Sequence, residues 1–376
     1  MKAPSLTLGV EEEYQIVDPE TGELQSFITQ ILKDGHITVA DVKPELHQSV
    51  VEVGSTVCQT PEEIRSELVR LRRAVMDLAA KDGLEILAAG THPFSSWMDQ
   101  EITPLERYQG VEQDLQDLAR KNLIFGMHVH VGIEDPEFLI DTMKVARYFL
   151  PHILALSSSS PFWIGRNTGL KSYRSVLWRN FPRTGLPPTF ETFADYEKIV
   201  RVLVKANAIP DASKIWWDMR PHHLYPTLEF RMCDMCTRVD EAVCIAAMLQ
   251  ALVAKLWKLR CDNMSFRVYP LSLIEENKWR AVRYGVQGNL VDFGQEIERP
   301  ARQVIHELLE WFLEDVVDEL GSREQVEYAL KILDEGTSAD RQLATFEETG
   351  DLKAVVDQLV RETAEGVGGR ASAVNA

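Results

Sequence analysis

Three short segments of this chain alternate between apolar and ionisable residues, and this alternation limits the fold more than any other feature. LTLGVEEEYQIVD (6–18) places Leu6, Leu8, Val10, Tyr14 and Ile16 at one parity and Glu11 and Glu13 at the other. FGMHVHVGI (125–133) opposes Met127, Val129 and Val131 to His128 and His130, and TLEFRMCD (227–234) opposes Leu228, Phe230 and Met232 to Glu229 and Arg231. A period of two is that of a strand with one buried face. If the three share a sheet, its second face is a floor of carboxylates, imidazoles and a guanidinium, with Glu52 of SVVEVG as a fourth contributor.

Antiparallel sheets commonly leave one face wet, so any single pair here has an ordinary explanation. The joint pattern is harder to explain that way, because the positions hold only Glu, His and Arg. Clustered carboxylates repel one another unless a cation lies between them. Oxygen ligands with an occasional imidazole suit Mg²⁺ or Mn²⁺. Cys233-x-x-Cys236 lacks the second ligand pair that structural zinc requires, and His47 and His92 read as structural.

The remaining text divides between helix and loop. Thr60 caps a helix carrying Ile64, Leu68, Leu71 and Val75. LEILAAG (84–90) reads as a buried strand, 104–121 as one polar helix, and Asp135 caps another helix at Pro136. Residues 161–190 read as a single long loop holding Arg166, Lys171, Arg174, Arg179 and Arg183. A mostly apolar helix follows from about 239 to 260, and acidic amphipathic helices follow from about 299. The spacing predicts an α+β fold with a mainly antiparallel sheet, divided as a 1–298 catalytic domain, a 299–365 helical extension packed on it, and a disordered 366–376 tail.

Guanidinium groups bind phosphate and carboxylate through two parallel hydrogen bonds. An arginine loop facing carboxylate-held Mg²⁺ is what phosphoryl transfer from ATP requires. No Walker A or GxGxxG sequence is present, so such a site is of another kind, and SSSSPFW lacks the serine-hydrolase elbow. With 40 basic against 58 acidic residues the net charge is −18, which disfavours nucleic acid and anionic membrane surfaces. VCIAAMLQALVA from Val243 reads as too short to span a bilayer. The absence of a leader and five irregularly spaced cysteines point to the cytoplasm.

In order, GVEEE, ELHQSVVEVG, GTHPFSSW, FGMHVHVG, SSSSPFWIGRNTG, WDMRP and TLEFRMCD resemble the YbdK-type carboxylate–amine ligases, the type 2 glutamate–cysteine ligases, from about residue 6 to 290. More distantly, MHVH and LEFRMCD resemble two strands of glutamine synthetase. The resemblance implies a curved, glutamine synthetase-like sheet flanked by helices and forming a funnel, with ATP at one end and the carboxylate at the other. It implies metal on Glu11, Glu13, Glu52, His128 and Glu229, and phosphate or carboxylate on Arg231 and the loop cations. Arg166, Lys171, Arg174 and Arg183 then hold ATP, while Glu52, Arg231 and Arg179 serve the chemistry. His130, Glu45 and Arg220 contact substrate. Glu45 lies at the wrong parity to Glu52 unless the strand starts after it, with Gln48 as the alternative, and Glu12 shares the apolar parity, where a bend or a salt bridge would accommodate it. Gly132 would leave room for the ligand.

The expected activity is ATP-dependent formation of an amide from a carboxylate, the γ-carboxylate of glutamate, and an amine. Weak glutamate–cysteine ligase activity and a homodimer are implied by the same resemblance. The alternatives are a metal-dependent hydrolase of amides or phosphate esters using the same floor without nucleotide, or a catalytically weak ligand sensor.

Overall fold

One seven-stranded sheet brings the alternating segments side by side in this computed structural model, which describes residues 2–27 and 42–368. Its strands are β1 (Leu8–Val17), β2 (Val42–Pro44), β3 (Val50–Gly54), β4 (Glu85–Leu87), β5 (Gly126–Gly132), β6 (Met219–Pro221) and β7 (Thr227–Asp234). They pair antiparallel in the order β6-β7-β5-β1-β3-β2, with β4 against the last three residues of β1. The α+β expectation therefore holds.

The apolar parity of these strands is the core. Val10, Tyr14, Met127, Val129, Val131, Leu228 and Phe230 are all buried. Helix α1 (Pro61–Ala79), started by the Thr60 cap, lays Ile64, Leu68, Leu71 and Val75 into the core. Helices α2 (Pro136–Ala146) and α3 (Leu150–Ser157) follow β5, and α4 (Tyr173–Trp178) lies in the arginine segment. Helix α5 (Val239–Cys261) packs on α1, α2 and β5. After α6 (Leu271–Tyr284) come α7 (Arg323–Glu335), α8 (Ser338–Thr349) and α9 (Leu352–Ala364), with α7 against α5 and α9 against β4.

Four local expectations are corrected. Residues 161–190 are not one loop: a tight hairpin pairs Phe162–Trp163 with Arg166–Asn167, α4 follows, and Thr184–Gly185 pair in parallel with Trp216–Trp217. The polar helix breaks at Gln116, whose φ of 51° lies in the left-handed region, giving Glu106–Leu115 and Asp117–Arg120. Helix α5 runs 23 residues and is long and apolar enough to cross a membrane, yet 78% of its most apolar window is buried in the protein. Finally, β7 does not alternate to its end. Phe230 pairs with Val129 but Cys233 pairs with Met127, so one extra residue bulges out opposite His128. The expected disordered tail lies, from 369 on, outside the described residues, as do residues 28–41.

Candidate active site

Register alone assembles the floor. Across the sheet Arg220 is opposite Glu229 and Glu229 opposite His130; one step along, His128 is opposite Glu11; beyond that Glu13 is opposite Glu52 and Glu52 opposite Lys43. Side chains directly opposite on one face approach within about 5.5 Å at Cβ. Ionisable groups from six strands thus form one continuous patch.

At the β7 side Glu229 is buried between two guanidiniums. Arg220 Nε donates to it at 2.7 Å and Arg231 Nη1 also binds it. Burial pushes the Glu229 carboxyl up, but Arg231 and Arg220 outweigh burial and hold it well below the usual range. Glu11 behaves alike: burial pushes it up, but His128, hydrogen-bonded to it, and His130, 3.8 Å away, overcome burial, and its pKa is lowered. Burial and the adjacent Arg231 bring His128 down to about 4, so the ring is neutral. With Nδ1 donating to Glu11 Oε2 at 3.0 Å, its Nε2 lone pair is left for a ligand.

The β3 side has the opposite electrostatics. Burial raises Glu13 to about 7, with Arg174 opposing and Glu52 reinforcing. Burial, Glu45 and Glu11 raise Glu52 well above the carboxylate range. Glu45 is raised to about 7 by burial and by Glu13, and it shares a hydrogen bond with Glu52. The parity objection to Glu45 therefore fails: β2 ends at Pro44, and the turn that follows swings Glu45 back to the cluster. Gln48 donates instead to Glu101 at 3.1 Å.

Among the described residues one group is close enough to hold a divalent cation. Ligand atoms of Glu11, His130 and Glu229 all lie within 4.8 Å of one another. This trio contains His130, the histidine assigned to substrate above, rather than His128. Glu13, Glu45 and Glu52 are a second cluster of carboxyls, raised chiefly by burial and further by one another and by Glu11, which a cation among them would relieve. Nε2 of His130 and Nε of Arg174 and Arg231 are buried without a hydrogen-bond partner. Orphaned polar atoms of this kind are uncommon in native interiors and concentrate at functional sites.

The loop cations separate. Arg174 is buried and reaches the floor, where its guanidinium occupies the space that a Cβ on Gly126 would fill. It shares a narrow cleft with Arg179, Trp178, Asp218 and Lys278. Arg179 is more than half exposed and pairs with Glu275 at 3.1 Å. Lys171 turns away to Asp340 on α8 at 2.7 Å, and Arg183 donates to the Lys214 carbonyl at 2.7 Å and lies over the Trp216 ring. Arg166 is exposed in the tight hairpin.

Asp234 escaped the sequence reading. Buried at the end of β7, it accepts from Ser159 N at 3.0 Å, Ser160 Oγ at 2.6 Å and Ser172 Oγ at 2.7 Å. Ser160 Oγ in turn receives the Arg174 backbone N–H at 3.0 Å. The serine run is thus a buried clamp that holds the Arg174 segment to the sheet. Lys278, which reaches Asp218 at 2.6 Å, was also missed, since α6 lies outside every motif. Gly132 is corrected as well: Ser5 Oγ and Thr7 Oγ1 fill the space above it, so it is covered by protein.

The family model for glutamate-cysteine ligase family 2 matches residues 7–358. This chain belongs to that family. A Roseiflexus castenholzii protein provisionally named glutamate–cysteine ligase 2 is 60% identical over 362 residues, covering 96% of this chain and 95% of its own. A Herpetosiphon aurantiacus protein of the same name is 58% identical, with 96% and 94% covered. Among solved structures, glutamate–cysteine ligase from Francisella tularensis in complex with AMP superposes with a TM-score of 0.70 at 12% identity, covering 98% of this chain and 91% of that one. A bifunctional glutathione synthetase from Pasteurella multocida gives 0.69 at 15%, covering 96% and 52%. These two share the fold. As a family 2 member the chain is an ATP-dependent carboxylate–amine ligase, and the hydrolase alternative finds no support. The family match also reaches through α7, α8 and most of α9, beyond the motifs noted above.

Proposed function

We propose that the chain converts the γ-carboxylate of glutamate into an acyl phosphate with ATP and passes the acyl group to an amine. The observation that carries this reading is the unbroken floor from Arg220 through Glu229, His130, Glu11 and Glu13 to Glu52, with Arg174 laid over one end. The names of the relatives and the AMP complex of the Francisella neighbour agree with it.

A carboxylate oxygen attacks the γ-phosphorus and ADP leaves; the amine nitrogen then attacks the acyl carbon, phosphate leaves, and one proton must go from the ammonium nitrogen to a base. Arg174 and Arg231 orient and neutralise the phosphoryl oxygens. Glu52, ionised once a cation offsets Glu45 and Glu11, is the floor carboxylate we assign to take that proton. Mg²⁺ or Mn²⁺ held by Glu13, Glu45 and Glu52, beside Gly126, would supply further neutralisation of phosphate charge, and a cation held by Glu11, His130 and Glu229 would do so for the substrate carboxylate. A cytoplasmic location belongs to the proposal and is supported by five free cysteines, four of them buried. The homodimer rests on the resemblance alone.

The test is ADP release with ATP, Mg²⁺, glutamate and a panel of amines that includes cysteine. Release that depends on both glutamate and one amine is expected. If no carboxylate and amine pair stimulates ADP formation by metal-replete protein, the reading is wrong.

A further inference from the structure

The hairpin between β6 and β7 overhangs the His130 end of the floor. The His222 ring stands edge-on to His130, centroids 5.2 Å apart at 74°, and stacks flat on Tyr225 at 4.9 Å. Its Nδ1 accepts the backbone N–H groups of Leu224 at 3.3 Å and Tyr225 at 3.1 Å. Two donors converging on one nitrogen leave no place there for a proton, so the neutral ring carries its proton on Nε2. The hairpin thereby fixes a single donor beside the floor.

The surroundings narrow what that donor meets. His130 Nδ1 is held by Thr227 Oγ1 at 3.2 Å while its Nε2 has no partner, and Ser5 and Thr7 close the floor beyond, over Gly132. The Arg174 cleft lies at the Gly126 end of β5, roughly 20 Å of extended strand from Gly132. Phosphates belong with the guanidiniums there. A lone neutral N–H with an aromatic wall suits one carboxylate, and Tyr225 supplies that wall although it is itself 62% exposed. His128 and His130 are two residues apart on one face, about 7 Å. That step is comparable to the separation of the two carboxylates in a short amino dicarboxylic acid.

We propose that His222 is a positioning residue that donates its Nε2–H to the unreacted carboxylate of the substrate, and so selects dicarboxylic amino acids over monocarboxylates. This rests on the ligase reading. Tyr225 lies along the substrate chain, and the reacting carboxylate extends from there toward Arg231 and the Arg174 end.

Two substitutions separate the parts of the imidazole. His222→Asn keeps an acceptor where Nδ1 is, preserving the turn, but removes the Nε2 donor; His222→Gln restores an N–H near the Nε2 position. Each is assayed by ADP release with glutamate and with 4-aminobutanoate, which lacks the second carboxylate, using the amine that serves the unsubstituted enzyme. In His222→Asn the preference for glutamate should fall about tenfold or more, the loss expected for one hydrogen bond to a charged group. It should fall through KM for glutamate, with KM for ATP unchanged, and His222→Gln should recover most of it. An unsubstituted enzyme without that preference, a His222→Asn enzyme that keeps it, an equal rise in KM for ATP, or a His222→Gln enzyme as impaired as His222→Asn overturns the proposal. An unsubstituted enzyme inactive with every pair overturns the ligase reading, and this inference with it.

Discussion

Arg72 and Glu12 meet in a two-point ion pair with neither side chain exposed, on the core side of the sheet beneath the active-site floor. Arg72 reaches Glu12 at 2.5 and 3.1 Å, the Tyr14 hydroxyl donates to the same carboxylate, and two further guanidinium donors go to the carbonyls of Thr237 and Cys236. The pair ties β1 to α1 and to the segment after β7. It also explains why a glutamate sits on an apolar parity.

Removing one partner strands the other charge in the core. Arg72→Met should cost about 3–5 kcal/mol, read as a fall in the urea midpoint, because the Glu12 carboxylate would remain buried and unpaired. Adding Glu12→Leu should recover part of that loss. A single variant as stable as the parent would show that the pair carries no structural load.

The raised carboxyls make metal-free stability depend on pH. Glu13 and Glu45 are raised to about 7, from an ordinary value near 4.5 that applies in the unfolded chain. Between those values the folded protein holds protons that the unfolded chain has released, so this contribution falls as pH rises through the window. Glu11 and Glu229, lowered by their histidine and arginine neighbours, act oppositely and only on the acid side. Buried His47, His92, His128, His152 and His222, lowered to between about 3 and 4, act the other way up to about pH 6.5, so the carboxyl contribution is read as a difference. The rise in melting temperature that millimolar Mg²⁺ gives EDTA-treated protein should grow between about pH 5.5 and 7.5. Glu52→Gln should reduce that growth. A stabilisation by Mg²⁺ that is flat across this range would contradict the assignment.

Asp234 holds three donors, two from the serine run and one from Ser172, the residue before α4. Asp234→Ala should destabilise the protein by about 3 kcal/mol, since several charge-assisted bonds are lost and their donors stay buried. Because Arg174 hangs from Ser160, nucleotide affinity should fall as well, measurable by titrating ATP at a temperature where the variant remains folded.

Sorting the loop cations by their partners predicts unequal effects. Arg174→Ala should lower kcat/KM for ATP about a hundredfold, the scale of losing a charged phosphate contact. Lys171→Ala and Arg183→Ala should act mainly on stability, by about 1 kcal/mol, because their partners are Asp340 and the Trp216 region. Comparable ATP defects in all three would show that the segment closes over nucleotide as a unit.

The floor was legible because a period of two is written directly into β1, β5 and β7, and because Glu, His and Arg without Lys is an odd composition for a wet face. Its edges were not. Glu45 depended on where β2 ends, a matter of one turn, and the loop cations on partners far along the chain such as Asp340. Gly132 looked open because the residues that cover it, Ser5 and Thr7, precede any periodic signal. Asp234 did leave a trace: it stands on the parity of Leu228, Phe230 and Met232. A charge at an apolar position near a strand end signals either a buried pair, as at Glu12, or a change of phase, as here.

The extra residue in β7 makes the protein far more sensitive to length than to composition at this point. Upstream of it the strand presents Glu229 to the ligand side; downstream Cys233 pairs with Met127 and Asp234 with Gly126, which puts the aspartate within reach of the serines. Were the strand to straighten without shortening, Met232 would pair with Met127 and Cys233 with Gly126, and the anchor of the Arg174 segment would turn to the core face while Glu229 stayed in place. Half of the catalytic surface would keep its alignment and the other half would lose its mooring, so a residue added between 230 and 233 should be excluded from working enzymes, whereas removal of the extra residue keeps Asp234 opposite Gly126.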